Sequence, residues 1–209
     1  MSVTPPEESE TRQRLVAAAV DLFHENGYQK TRVSDIVART GVSQGTFYLY
    51  FRSKEAIFLH ICEVFTQRLT RLFVTGTQGL FEGDNAVAIE GNLRRLVRKV
   101  FNLYREDLAV AELLFREGIG NGGIFKKIYE GLLTTFVTLI RRQLEIGCDK
   151  KLVSIEDPEA AAVFLFGMVE RGLLYYLQVR ESVDLDHLED QVVAFILHGI
   201  GFNNRWQTP

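Results

Sequence analysis

Between Gly27 and Lys54 the chain reads GYQKTRVSDIVARTGVSQGTFYLYFRSK, and no other stretch restricts the fold as sharply. Val33, Ile36 and Val37 share one face of a short helix ahead of Gly41; Phe47 and Phe51, four apart, share a face behind it. A connection this tight calls for a residue at positive φ, cheap only as glycine, which Gly41 supplies; Val42 is the apolar plug between the helices. The second helix, seven or eight residues long, is too short to stand alone and has to be held by packing. With Phe47 and Phe51 facing inward, Gln44, Gly45, Thr46, Tyr48 and Tyr50 are left for the outer faces. Polar and aromatic side chains around a glycine make little sense as packing. They fit a helix-turn-helix that offers its second helix to the major groove of DNA.

Charge supports this locally rather than globally. Lys30, Arg32, Arg39, Arg52 and Lys54 against Asp35 leave +4 on the segment, whereas the whole chain carries −3, so the remainder carries −7. A basic patch on an acidic body binds phosphates by counterion release while the body resists non-specific adhesion.

Around the motif, Leu15, Ala18, Ala19, Leu22 and Phe23 form a helical stripe stopped by Gly27, with Ser9 expected as its N-cap. Thr31, Ser43 and Ser53 are expected to cap the next three helices. Ser43 and Ser53 would then leave free N–H groups for phosphates, and Lys54 adds a point charge. Among Gln44, Gly45, Thr46, Tyr48 and Tyr50 only Gln44 carries an amide able to pair bidentately with adenine, which makes it the main candidate for direct readout.

The run AAVDLFHENGYQKTRVSDIVARTGVSQGTFYLYFRSKEAI resembles the N-terminal domain of the TetR/AcrR family of bacterial one-component transcriptional regulators, over about Leu15 to Phe58. The resemblance implies an all-helical homodimer, usually a repressor, whose larger C-terminal domain binds an inducer. It implies that Gln44, Gly45, Thr46 and Tyr48 lie at base edges or adjacent phosphates. Tyr50 and Lys54 would clamp the backbone, and Thr31, Arg32 and Ser34 would touch phosphates from the preceding helix. The partner is then a double-stranded, palindromic operator.

The expected architecture is all-α: a three-helix helix-turn-helix domain over 1–53 and a helical effector-binding and dimerisation domain over 54–209. Helices are expected near 54–75, 86–105, 107–116, 124–147, 158–180 and 185–203, with loops at 76–85 and 148–156. Asp157-Pro158-Glu159 is a helix start, with a cap, a proline in the first position and an acid in the first turn. The last two helices are too apolar for an ordinary surface position. By the resemblance they pair with a second subunit, and Gly167, Gly172, Leu188, Val192, Phe195, Ile196 and Gly199 are candidates for that interface. The same stripes also suit the core of a single chain.

An apolar effector pocket is expected among Phe101, Tyr104, Leu113, Phe125, Tyr129, Phe136 and Phe166, with Glu170 as a polar group. Fifteen Phe against one Trp favour a long or flat hydrophobic, acyl-type effector. Other signals fail. Gly118 to Gly123 formally matches a dinucleotide fingerprint but follows a helical pattern, so it reads as a loop between helices. The four histidines have no metal spacing, and Cys62 and Cys148 form neither a disulfide framework nor a metal pair. The longest stretch free of acidic and basic residues, 191–204, is shorter than the roughly 18 residues a membrane span needs. An enzyme is a poor reading; no cofactor, metal or membrane partner is expected, and the location expected is cytoplasmic. The rivals to a ligand-released repressor are an architectural DNA-binding protein and a thiol-based redox switch.

Overall fold

Capping and glycine stops divide the chain into helices. The computed structural model describes residues 6–82, 86–120, 123–179 and 184–201. Among them lie nine helices and no strand: α1 (Pro6–Asn26), α2 (Val33–Thr40), α3 (Gln44–Tyr50), α4 (Lys54–Gly76), α5 (Ala86–Glu106), α6 (Leu108–Gly120), α7 (Ile124–Asp149), α8 (Pro158–Val179) and α9 (Leu185–Gly199).

Most ends follow the local chemistry expected. Gly27 sits at φ 83° with its N–H on the Phe23 carbonyl at 3.0 Å, which closes α1. Ser53 accepts the Ala56 N–H at 3.1 Å, and Asp157 accepts the N–H groups of Glu159 and Ala160 at 3.0 and 2.9 Å. Four boundaries differ. α1 already begins at Pro6, because proline is welcome where no N–H is needed, so Ser9 lies inside the helix. Thr31 does not cap α2; Arg32 occupies that position, and its own N–H donates to Asp35 at 2.8 Å. α6 continues to Gly120, so the glycine-rich run is helical for its first three residues; Asn121 and Gly122 lie outside the described residues. α9 ends at Gly199, with Ile200 as its C-cap, short of the end expected at 203, while the end expected at 180 and the loop residues 83–85 lie outside the described residues.

The helices form two compact units. One takes residues 1–66 and 109–129, the other 67–108 and 130–209, rather than dividing at 53/54. The reason is visible in the first unit. Phe23, Tyr28, Phe58 and Phe125 form one ring cluster, with Phe125 centred 4.7 Å from both Tyr28 and Phe58. Arg116 donates to the Phe23 carbonyl at 2.9 Å, and His24 pairs with Glu112 at 2.8 Å. These contacts place α6 and the start of α7 with the N-terminal helices.

In the second unit α5 lies against α9. Arg98 grips the buried carboxylate of Glu189 at 2.6 and 3.1 Å, and Arg94 joins Glu90 at 3.0 Å and Asp190. Phe136 meets Phe73 edge-on at 5.9 Å and stacks on Phe166 at 6.0 Å. By length and mean hydropathy 158–178 is apolar enough to cross a membrane, with Glu159 at its start and Glu170 and Arg171 breaking the rest into short charge-free runs.

Candidate functional site

The turn between α2 and α3 is set by Gly41 at φ 70°, whose N–H returns to Val37 at 3.0 Å. α3 is started by Ser43, which accepts the Thr46 N–H at 3.0 Å; the two hydroxyls also meet at 2.8 Å. Phe47 and Phe51 are buried and pin the helix from one side. Gln44 and Gly45 are exposed, Tyr48 is 48% exposed, and Thr46, Tyr50 and Val42 are half-buried. The outward set therefore stands together on one short helix, as the pattern requires.

Not every residue expected at phosphates is free to reach them. Arg32 and Ser34 are exposed, but Thr31 is only 1% exposed, and its hydroxyl donates to the carbonyls of Leu22 at 3.1 Å and Gly27 at 2.9 Å. Lys54 is also held inside its own unit. Its ammonium donates to the carbonyls of Tyr28 at 2.7 Å and Thr31 at 2.8 Å, and lies 4.2 Å from the centre of the Tyr28 ring. Burial depresses the Lys54 amine, against the pull of Glu117 and Asp35, and burial with Glu55 and Glu117 nearby pushes the Tyr28 phenol up to about 12. These two residues knit the loop ahead of α2 to the start of α4. Arg39 forms a bidentate pair with Glu25 at 2.8 and 3.0 Å. The side-chain hydrogen bond holds Glu25 below the usual carboxylate range. The cations of the motif left outward are Lys30, Arg32 and Arg52.

The sequence pattern gave no weight to Leu49. It is 83% exposed, beside Tyr48 on α3. Its place between two tyrosines in a period-blind run concealed it, whereas counting from Phe47 and Phe51 would have put it on the outer face.

The second unit holds a partly open cavity of about 140 Å³ lined by the end of α4 and by α5, α7, α8 and α9. Of the residues expected there, Tyr104, Phe136, Phe166 and Glu170 line it. Phe101 instead borders a polar groove with Arg98, Arg105, Asp186 and Glu189. Leu113, Phe125 and Tyr129 belong to the first unit, where Tyr129 stands edge-on to Phe115 at 6.1 Å. Ile196 lines the cavity, and Leu188 is buried within the chain, so neither offers its side chain to another subunit. Val192 is half-buried and Phe195 is 69% exposed. Gly167, Gly172 and Gly199 have open space where a side chain would be. Burial pushes the Cys62 thiol up to about 12, which keeps it in its unreactive protonated form; Cys148 is half-buried.

A helix-turn-helix with an outward, cation-flanked second helix, attached to a helical body holding an apolar cavity, defines a DNA-binding transcriptional regulator. Residues 15–61 match the family described as "Bacterial regulatory proteins, tetR family". Over 191 residues the chain is 36% identical to the uncharacterized HTH-type transcriptional regulator YdgC of Bacillus subtilis (strain 168), covering 91% of this chain and 93% of that one. It is 27% identical over 193 residues to the fatty acid metabolism regulator protein of the same organism, covering 90% and 94%. The fold is shared with the fatty acid degradation regulator FadR from Bacillus halodurans (TM-score 0.73, 22% identity, 97% and 100% covered). It is shared equally with FadR from Bacillus subtilis in complex with stearoyl-CoA (TM-score 0.71, 23% identity, 90% and 98% covered). The chain belongs to the tetR family of bacterial regulatory proteins, whose members bind operator DNA as dimers.

Proposed function

We propose that this regulator is a repressor whose grip on a palindromic operator is relieved by a hydrophobic, acyl-type molecule entering the cavity of the second unit. The cavity carries the reading. Its wall is hydrocarbon apart from Thr77, Tyr104, Gln143 and Glu170, so it favours an apolar guest with at most one polar end. Size sharpens the argument. A dry cavity of roughly 150 Å³ accepts a guest the size of benzene, whereas ligand pockets commonly run to about 300–1,000 Å³. A long acyl chain is larger than about 140 Å³ and is fully received only if the surrounding helices part. A ligand that binds only the expanded arrangement shifts the population toward it. α4 contributes to both units and is the element through which that shift reaches α3. The fatty acid regulators among the relatives, one of them crystallised with stearoyl-CoA, support this ligand class.

The test is a thermal-shift series with saturated fatty acids, acyl-CoAs of increasing length and aromatic drugs. Stabilisation by the acyl series, absent in Val169→Phe where the added ring occupies the cavity wall, is the expected result. No shift with any acyl compound removes the proposal. The repressor role is tested by transcription in vitro from a promoter overlapping the operator, where the protein lowers and the ligand restores output.

The surface for a second copy is assigned to α8 and α9. Phe164 is 75% exposed, and Val163, Tyr175 and Phe195 are exposed with it. This apolar area on the helix that otherwise has the composition of a membrane span gains a natural cover in a symmetric partner.

A further inference from the structure

We propose that Leu49 reads sequence directly, by seating its isobutyl group against the C5-methyl group of a thymine in the major groove. The proposal rests on α3 being the recognition helix. Among the described residues Leu49 is the most exposed of the large hydrophobic side chains, although α3 has a buried face, occupied by Phe47 and Phe51, on which leucine would ordinarily sit. Helical side chains lean toward the N-terminus, so Leu49 lies over the turn that holds Gly45, one helical turn earlier.

Gly45 explains what the leucine faces. A Cβ there would meet only the Ser43 hydroxyl, at an ordinary 3.6 Å, so packing within the chain does not require glycine. Its bareness serves something outside, and it leaves the backbone low beside an exposed leucine. Gln44 and Tyr48 flank the same surface, and the exposed Lys30, Arg32 and Arg52 of the same motif supply attraction for phosphates. A lone apolar side chain among polar, aromatic and cationic neighbours is too small a patch for a protein partner. In the major groove, by contrast, the thymine methyl is the one apolar landmark among hydrogen-bonding edges. Leucine has no polar group to misplace there and would discriminate by burial alone.

The test begins with the tightest duplex selected by the wild-type protein from a random pool. Each thymine of that duplex is then replaced singly by deoxyuridine, which deletes only the methyl group. At one thymine in each half-site, wild-type binding should weaken about fourfold, the equivalent of about 0.8 kcal/mol for one buried methyl-sized group. Leu49→Ala should bind the thymine and uracil duplexes equally while keeping the wild-type denaturation midpoint, as befits an exposed side chain. Leu49→Asn, which can pair with adenine, should move the selected base at that position and nowhere else. A duplex whose thymine methyls are all neutral, or an equal loss in Leu49→Ala, overturns the assignment and leaves the recognition helix standing. A pool that yields no consensus overturns both.

Discussion

The surface of α3 and the cavity of the second unit are built by opposite rules. α3 leaves its candidate reading side chains outside: Gln44, Tyr48 and Leu49 are exposed, while two phenylalanines hold the helix from behind. The cavity is formed by side chains turned inside, contributed by five helices that are distant in sequence. A reading surface can therefore be written in one short run with fixed spacing, whereas a binding cavity exists only after packing. One is tolerant of internal repacking; the other is repacking.

Phe47→Ala should break the comparison most severely. The side chain is fully buried, so its loss costs about 3–5 kcal/mol and frees the helix that carries the reading surface. Chemical denaturation should show the drop, and DNA affinity should fall with it. If affinity falls while stability is unchanged, Phe47 is a contact and not a support.

Lys54 sits between the two rules, and its replacement should sort it. Lys54→Met removes a charged donor from three carbonyls and should cost about 1.5–3 kcal/mol of stability, with the salt dependence of DNA binding little changed. A slope reduced by about one with stability intact would return Lys54 to the phosphate-contacting role.

Gln44→Ala should leave stability untouched and cost about 1–3 kcal/mol of binding, confined to one base position in a pool selection. A loss spread evenly over sequences would make Gln44 a backbone contact. The smallest effect expected is at His60, whose imidazole is held below its ordinary value by burial and by Arg12, 3.3 Å away. The unfolded chain then takes up this proton first, so stability is full above about pH 6.5 and declines as pH falls below it. Thermal midpoints of His60→Gln between pH 7.5 and 5 should decline less than those of the wild type; equal declines would remove His60 as a cause.

How much was legible follows from the same contrast. The turn glycine, the Ser43 cap and the inward phenylalanines are local facts, and they place α3 without reference to the rest of the chain. Thr31 and Lys54 are expected at phosphates from their polarity, which does not reveal that the Thr31 hydroxyl and the Lys54 ammonium already have partners within the chain. The carbonyls that Lys54 satisfies come from a loop more than twenty residues away, and one of the two that Thr31 satisfies comes from Leu22 in α1, neither visible to spacing. Phe101, Leu113 and Tyr129 have the same helical period as Tyr104, Phe136 and Phe166. Nothing in the pattern tells a residue lining the cavity from one facing the polar groove or packed in the first unit. Phe125 illustrates the domain boundary as well: only its rings against Tyr28 and Phe58 reveal that the start of α7 belongs with the reading unit.

The central claim is that cavity and recognition helix share one equilibrium, and reciprocity tests it most directly. The dissociation constant of stearoyl-CoA would be measured with the protein free and saturated with its selected duplex, alongside that of the duplex with and without stearoyl-CoA. The account predicts that each ligand weakens the other by the same factor, of about 5–150-fold. A stearoyl-CoA affinity that is indifferent to bound DNA would contradict it.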